Sequence, residues 1–364
     1  MVHPLDEYAV HQAPVSLAHP ATSDRNFYDR CIFHALDPSG DRLLVVGGGV
    51  YPNLGVEDAY AALRTGSRQT TVRASGALRP DRLQLAVGPL TVDVVEPLTT
   101  LRLRSEAAAV SYDLRWTAVS PAFDEPLHVM RDGNGKKLLE GCRFAQTGEW
   151  HGTLTTPDGT VDVDGWAGTR DRSWGIRPVG AAEPTGRPGD LQGFWWTWAP
   201  LRFEDSTLMT VLQEQPDGFR TLGDAVRVWH DDGRIEQLGW PEAEIRYASG
   251  TRHPLGAVLR FSRGLEVEVE TRTGVALAVG CGYGGDPDWA HGTWRGDSWT
   301  ETVEHDYDDD AVRGRTAFSV VDHWVTARIT AGRGEGQQGV GIFEHASMGR
   351  HDPSGFADWS AVAP

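Results

Sequence analysis

The sequence predicts an all-β fold that consists of two antiparallel β-barrel domains in tandem. Apolar and polar residues alternate in several segments, turn-forming residues recur between these segments, and sustained helical periodicity is almost absent. Alternation with a period of two gives a strand one wet face and one buried face, as barrels and sandwiches require. Closing a sheet into a barrel also removes its exposed edges. The 364 residues suffice for two domains of ordinary size.

Strand signals and turn signals follow one another along the chain. Alternation is clearest in three segments, at residues 83–87, 101–104 and 265–270. Hairpin turns are expected where Gly, Pro, Asp and Asn cluster, at residues 37–41, 132–135, 157–159 and 231–233. Helix is expected only in short pieces, at residues 57–63 and in one turn near Ala107.

The domain boundary is predicted at residues 179–190, where glycine and proline interrupt any regular element. The residues concerned are Gly180, Pro184, Gly186, Pro188 and Gly189. The first barrel is then expected at residues 23–178 and the second at residues 191–345. Residues 346–364 are expected to form an irregular tail.

The excess of acidic residues limits the kinds of partner that the chain can bind. The formal net charge is −17, and a field of this sign repels phosphate backbones and anionic lipid headgroups. No apolar run approaches the roughly 20 residues of a membrane span, and residues 1–16 lack the basic start and apolar core of a signal peptide. We therefore expect a cytoplasmic protein with no membrane span and no nucleic-acid partner. The sequence leaves the oligomeric state open.

The three cysteines, Cys31, Cys142 and Cys281, are odd in number and widely separated. This spacing argues against a disulfide framework and offers no paired ligands for a metal. Dinucleotide, phosphate-loop and hydrolase motifs also lack their required context. We expect neither a metal nor a cofactor.

Residues 168–178, Gly-Thr-Arg-Asp-Arg-Ser-Trp-Gly-Ile-Arg-Pro, concentrate more chemistry than any other segment. Asp171 is the first candidate for a catalytic acid, with Arg172 and Trp174 as candidate ligand-binding residues. Burial beside Trp174 would raise the pKa of Asp171, whereas a nearby arginine would lower it, so the sequence leaves the sign open. The alternative is an ion-pair latch between Asp171 and an arginine that locks the two halves together.

A second constellation lies at residues 282–292 and contains Tyr283, Asp288, Trp289 and His291. In an extended segment Asp288 lies on the same side as Asp286, and His291 could shuttle a proton. Asp288 and His291 are therefore further catalytic candidates, with Tyr283 and Trp289 as ligand-binding candidates. The alternative is a glycine-rich connection whose carboxylates accept hydrogen bonds from backbone N–H groups.

Tryptophan is abundant, with 14 residues in the chain, and three of them cluster as Trp195, Trp196 and Trp198. Buried indoles need a partner for their N–H group, so such a cluster suits a ligand cavity with an apolar body and a few polar points. We treat the three as candidate ligand-binding residues. The alternative is a tryptophan-rich β core.

The segments 168–178 and 282–292 together resemble the double-lipocalin family of proteins like carotenoid hydratase, also known as hydroxyneurosporene synthase. That superfamily also includes polyketide cyclases and Diels–Alderases. The resemblance implies two lipocalin-like barrels and an apolar ligand, and it aligns Asp171 with the acid of the family's D-x-S-W-G pattern. It does not fix a reaction, because one fold hosts unrelated chemistries.

Three functions from different classes are compatible with these observations. The first is an enzyme that binds a polyene, terpenoid, steroid or polyketide and hydrates, isomerises or cyclises it without a redox cofactor. Holding a flexible substrate in a reactive conformer supplies much of the rate acceleration in such reactions. The second is a lipophile carrier without catalysis, and the third is a structural double barrel without a ligand. The family resemblance favours the enzyme.

Overall fold

The computed structural model describes residue 2, residues 4–180, residue 187 and residues 189–364. Within these residues the chain forms 22 β-strands and one short α-helix, α1 (Asp310–Thr316), which confirms the all-β prediction. Single turns of 3-10 helix occupy Pro4–Glu7, Ser262–Gly264 and Asp352–Ser354. No described helix has the length and apolar character that crossing a membrane requires.

Twelve strands precede the predicted domain boundary. They are β1 (Phe27–Leu36), β2 (Arg42–Tyr51), β3 (Val56–Thr65), β4 (Arg68–Ala77), β5 (Leu85–Val87), β6 (Leu90–Glu96), β7 (Thr100–Ser105), β8 (Ser111–Ala118), β9 (Phe123–Asp124), β10 (His128–Arg131), β11 (Lys137–Thr156) and β12 (Gly159–Ile176).

Ten strands follow the predicted boundary. They are β13 (Gly193–Arg202), β14 (Ser206–Glu214), β15 (Arg220–Trp229), β16 (Ile235–Gln237), β17 (Glu242–Tyr247), β18 (Pro254–Arg260), β19 (Glu266–Ala276), β20 (Ser298–Asp306), β21 (Val321–Ala331) and β22 (Gln338–Gly349).

The strands form two antiparallel sheets, consistent with a fold of two barrels. The first sheet has the order β20-β4-β3-β2-β1-β12-β11-β8-β7-β6-β5, with β9 and β10 paired to β11. Its two ends approach each other, because Gly88, just after β5, lies against Thr300 of β20. The second sheet has the order β16-β15-β14-β13-β22-β21-β19-β18-β17.

Alternation along the central strands divides the apolar core into three layers. In β1, Cys31 and Phe33 point into the first barrel, whereas Ile32 points the opposite way. In β13, Leu201 lies inside the second barrel, whereas Trp198 points towards the first. We call the middle layer, which contains Ile32, Leu36, Tyr60, Ala145, Trp196, Trp198, Trp289, Trp324 and Ile342, the interbarrel layer.

Two expectations about local structure were wrong. Residues 57–63 are not helical but lie within β3, which pairs with β2 on one side and β4 on the other. Both faces of this strand are buried, so the segment lacks the alternation of a half-exposed strand, and tertiary pairing overrides the helix-forming alanines. Ala107 lies in the connection between β7 and β8 and starts no helix.

The predicted domain division stays a prediction. Within the linker 179–190, residues 181–186 and 188 lie outside the described residues. β22 continues to Gly349, beyond the predicted end of the second barrel, and His351 pairs with Phe356 in the predicted tail. β20 belongs to the second half of the chain but completes the first sheet.

Candidate active site

Two carboxylic acids face each other on neighbouring strands of the interbarrel layer. Asp322 of β21 is directly opposite Glu344 of β22 in the antiparallel register, and their carboxyl groups are hydrogen-bonded to each other. Asp322 is fully buried, whereas Glu344 is partly exposed. The indole N–H of Trp196 donates to Oε1 of Glu344. The pair therefore joins a fully buried carboxyl group to a partly exposed one.

The first barrel contacts the buried acid of this pair through His34. Nε2 of His34 lies 2.9 Å from Oδ2 of Asp322, and Nδ1 of His34 lies 2.8 Å from the hydroxyl oxygen of Thr169. Burial lowers the pKa of His34 to about 4, so the ring is neutral at pH 7. Within the described residues, Oδ1 of Asp322 is buried and has no N–H or hydroxyl donor. It obtains one if Glu344 is protonated and donates to it.

Burial and proximity raise the pKa values of the acids in this layer. Burial is the main cause for Asp322 and for Glu344, and the neighbouring Asp322 raises the pKa of Glu344 further. Asp171 of β12 is 8% exposed, and burial raises its pKa to about 6 although Arg143 opposes the shift. The sequence left the direction of the pKa shift of Asp171 open, and in the structure the shift is upward. No other part of the described structure combines three acids with raised pKa values.

Arg143 of β11 is neutralised mainly by Glu125 and not by Asp171. Its guanidinium lies 2.7 Å from Glu125 but 3.5 Å from Asp171. Glu125 also accepts from Nε2 of His128 at 3.0 Å and from the indole of Trp198 at 2.8 Å. Burial alone would raise the pKa of Glu125, but Arg143 and His128 hold it at about 2. Asp171 is therefore the acid with the weaker partner.

A second buried cluster lies on the same layer and centres on His291. Its Nδ1 lies 3.2 Å from Oδ1 of Asp58, and its Nε2 accepts from Nη2 of Arg30 at 2.6 Å. Burial lowers the pKa of His291 to about 4, so the neutral ring donates to Asp58. The ring of Tyr283 packs edge-on against His291 with centroids 5.0 Å apart. Tyr283 also experiences the charges of Asp171 and other groups of the first cluster, so one region contains both clusters.

Among the tryptophans predicted to bind ligand, Trp196 and Trp198 lie in this region and Trp289 packs against His291 at 5.4 Å. Arg143 already lies over the rings of Trp196 and Trp198, at 5.1 and 4.8 Å from their centroids. Trp195 points to the opposite face of the sheet, where it stacks on His351 at 5.2 Å.

The remaining predicted site residues lie nearer the surface. Asp288 is exposed and pairs with Arg73 at 2.8 Å. Arg172 pairs with Asp29 at 2.8 Å. Trp174 is 37% exposed. The structure therefore brings Asp171, His291 and Tyr283 together. It leaves Asp288, Arg172 and Trp174 outside the buried clusters.

Sequence reasoning missed most charged members of the region, namely Arg30, His34, Asp58, Glu125, Arg143, Asp322 and Glu344. A signal for two of them was present. Asp322 follows Val321 in a strand that is buried along most of its length, and Glu344 follows Phe343 in another. A single acid within an apolar strand is costly to bury unless it is paired. A lone acid among apolar strand residues is therefore a signal that the sequence alone provides. Among the described residues, no group of three or more acids, histidines and cysteines is placed to hold a metal ion.

Solved structures with the same fold confirm the resemblance to double-lipocalin proteins. Kievitone hydratase from Nectria haematococca superposes with a TM-score of 0.54 at 13% identity, over 99% of this chain and 97% of that one. A protein from Nitrosomonas europaea, provisionally assigned as AttH, gives 0.56 at 12% identity, over 90% and 94%. CghA with Sch210972 gives 0.51 at 11% identity, over 89% of each chain.

No curated protein matches the sequence. One family model does, and it spans residues 2–357, which is nearly the whole chain. The chain therefore belongs to the family described as "Family of unknown function (DUF8625)".

Proposed function

We propose that this protein is an enzyme that binds an apolar small molecule between its barrels and transfers a proton to it from Glu344. The observation that supports the proposal is the Asp322–Glu344 pair, which retains a proton at neutral pH and exposes one of its two members. A protonated carboxyl group of this kind is a competent general acid. The shared fold with kievitone hydratase adds support, although at 13% identity it bears on the fold alone.

The proposed reaction begins at a carbon–carbon double bond. The π electrons form a C–H bond to the proton of Glu344 while its O–H bond breaks, which leaves a carbocation and a carboxylate. Asp171, whose raised pKa of about 6 leaves it mostly ionised at pH 7, stabilises the cation by its negative charge. Water then adds to the cation and returns a proton to Glu344, which gives hydration. Loss of a neighbouring proton to the Glu344 carboxylate gives isomerisation. Attack by a second double bond forms a ring and a new cation, which loses a proton to the same carboxylate, and this gives cyclisation.

The substrate class of this proposal is a polyene, terpenoid, steroid or polyketide, and no cofactor takes part in the reaction. Asp288, placed among the catalytic candidates by its sequence, has no step in this proposal. The cytoplasmic location, expected from the sequence pattern, and the exclusion of nucleic acid, expected from the net charge, both stay predictions. The layer between the barrels is the proposed binding region because it contains both the partly exposed acid and the indoles of Trp196 and Trp198.

The test is deuterium incorporation from heavy water into a panel of alkenes of these four classes, measured by mass spectrometry. We expect incorporation into at least one class with the wild-type protein and its loss in Glu344→Gln. The matched control is Glu149→Gln, since Glu149 is a partly exposed carboxylate that pairs with Arg202 across the barrels. Binding without incorporation would instead identify a carrier. Equal incorporation by wild type and Glu344→Gln would refute the proposed acid.

A further inference from the structure

Arg30 is a buried cation that no carboxylate contacts. It is 4% exposed, and arginine stays protonated in proteins. Within the described part of the chain, its only hydrogen-bonded guanidinium nitrogen is Nη2, which donates to His291, and no ion pair includes it. Its Nε is buried and has no partner. A desolvated charge in this state is costly unless an anion approaches it.

Asp58, the acid whose charge acts on Arg30, is already committed to other donors. It accepts from the backbone N–H of Gly292 at 2.7 Å, from the hydroxyl of Tyr51 at 3.0 Å and from Nδ1 of His291 at 3.2 Å. The imidazole ring of His291 separates it from Arg30. Asp58 therefore orients His291, and His291 orients Arg30, while the free donors of Arg30 stay available.

A second unsatisfied donor lies on the same face of the sheet. The hydroxyl of Tyr60 is buried and has no partner among the described residues. In the register, Gly49 is opposite Arg30 and Gly47 is opposite Tyr60. A Cβ atom at Gly49 would lie 2.3 Å from Cγ of Arg30, and one at Gly47 would lie 2.3 Å from the ring of Tyr60. The glycines thus let both side chains lie flat against the sheet.

Arg177 adds a second positive charge beside the first. Its guanidinium lies 5.2 Å from the centroid of the Tyr283 ring, and that of Arg30 lies 4.8 Å from the same ring. No ion pair includes Arg177 within the described residues, and the residue is partly exposed. The two arginines and Tyr60 thus place hydrogen-bond donors around Tyr283. The carboxyl groups of Asp322 and Glu344 belong to the first cluster and not to this one.

We propose that Arg30, Tyr60 and Arg177 form a subsite that binds an acidic oxygen group of the substrate, either a carboxylate or the enolate of a 1,3-dicarbonyl. Two oxygens that share one negative charge match the fork of a guanidinium and a hydroxyl donor. The substrate is accordingly an apolar molecule with one acidic head, not a plain hydrocarbon. This inference deepens the proposed function, because the head would anchor the molecule while its double bond reaches Glu344.

The test compares acids with matched neutral molecules. The carboxylate pair is oleic acid and oleyl alcohol, with retinoic acid and retinol as a second shape. The enolate pair is a 2-acylcyclohexane-1,3-dione and its O-methyl enol ether. Binding is measured by tryptophan fluorescence at pH 7.5. We expect at least one acid to bind about tenfold or more tightly than its neutral partner, as a charge-assisted hydrogen bond predicts. If no acid binds better than its partner, the subsite does not exist.

Variants show which residues cause the preference for an acid over its neutral partner. Arg30→Gln should reduce it to less than about twofold, and Tyr60→Phe should reduce it in part. The matched control is Arg227→Gln, which removes another buried arginine whose Nε instead donates to Ser206, and it should keep the preference. If Arg30→Gln fails to fold, Arg30→Lys is used instead, because lysine keeps the charge and loses the guanidinium fork. Tyr60→Phe then decides whether the preference arises at this subsite. A preference that survives in every folded variant overturns the assignment. Acid preference without deuterium incorporation would refute the proposed enzyme and leave the subsite intact.

Discussion

Asp322 and Glu344 lie opposite each other on neighbouring strands, and the buried oxygen of Asp322 is satisfied if Glu344 retains its proton. Two ionised carboxylates at this separation would repel each other in a region of low dielectric constant. The arrangement keeps one proton on the pair under conditions where free carboxylates have lost theirs. His34 of the first barrel contacts Asp322 through its Nε2.

The pair predicts a fall in stability at mildly alkaline pH. A carboxyl group whose pKa is raised on folding stabilises the protein below its unfolded pKa, and that contribution is lost as the pH rises through the folded pKa, about 8 for Glu344. Buried histidines such as His34, with pKa values lowered to about 4, destabilise instead as the pH falls below 6.5. We therefore expect the free energy of unfolding to decrease by about 1–2 kcal/mol between pH 6.5 and 8.5.

Urea unfolding at several pH values measures this decrease. Glu344→Gln should flatten the curve between pH 6.5 and 8.5, because the amide has no proton to lose. The limb below about pH 4.5, where this glutamate is protonated in both the folded and the unfolded chain, should not change. A wild-type curve that rises from pH 6.5 to 8.5 would contradict the raised pKa values.

The two acids around Arg143 should respond oppositely to amide substitution. Glu125→Gln removes the main partner of a buried guanidinium and should cost about 3–5 kcal/mol of unfolding free energy. Asp171→Asn removes a charge that burial disfavours, so at pH 8 the melting temperature should stay level or rise. Thermal unfolding of both variants decides between a latch and a cavity acid at Asp171. A large loss for Asp171→Asn would restore the latch.

Gly49→Ala should destabilise the protein by about 1–3 kcal/mol, because the new methyl group would lie 2.3 Å from Cγ of Arg30 and 3.1 Å from the backbone carbonyl oxygen of Asp29. The control is Gly314→Ala in α1, where a Cβ atom would meet nothing within 4 Å, and it should stabilise by up to about 1 kcal/mol. Chemical unfolding of both proteins gives the values. Unchanged stability of Gly49→Ala would show that Arg30 is free to shift.

Ligand binding between the barrels should be visible through two indoles. Trp196→Phe and Trp198→Phe should each reduce the fluorescence quenching that an apolar acid causes, because both rings lie in the interbarrel layer. Trp240→Phe should not reduce it, since Trp240 is 60% exposed on the second barrel. Quenching that depends on Trp240 alone would place the ligand on the outside.

The all-β fold could be predicted because local signals determine it. The turns at residues 37–41, 157–159 and 231–233 lie between consecutive strands, as Gly, Pro and Asp dictate. The helix expected at residues 57–63 failed because β3 is buried on both faces, and alternation then disappears. The pairing of β20 with β4 could not be predicted, since contacts between distant segments leave no periodic pattern.

The candidate site was only partly predictable. Asp171 and His291 stand in segments dense with polar and aromatic groups, and both are buried in the two clusters. Glu344 and Asp322 are single acids in apolar strands, and only their register across β21 and β22 makes them a pair. Arg30 is inconspicuous in sequence, because what distinguishes it is a buried guanidinium with no carboxylate contact and no partner for its Nε among the described residues, which only the three-dimensional structure shows. Such an absence has no signature along the chain.

The pairing of β20 with β4 has a consequence for protein synthesis. While the ribosome is still translating residues before Ser298, β4 presents a row of free backbone N–H and C=O groups to solvent or to other nascent chains. An unpaired edge of this kind is an aggregation hazard. The first barrel therefore matures only after most of the second has been made, and a fragment that ends at residue 178 should be recovered in inclusion bodies.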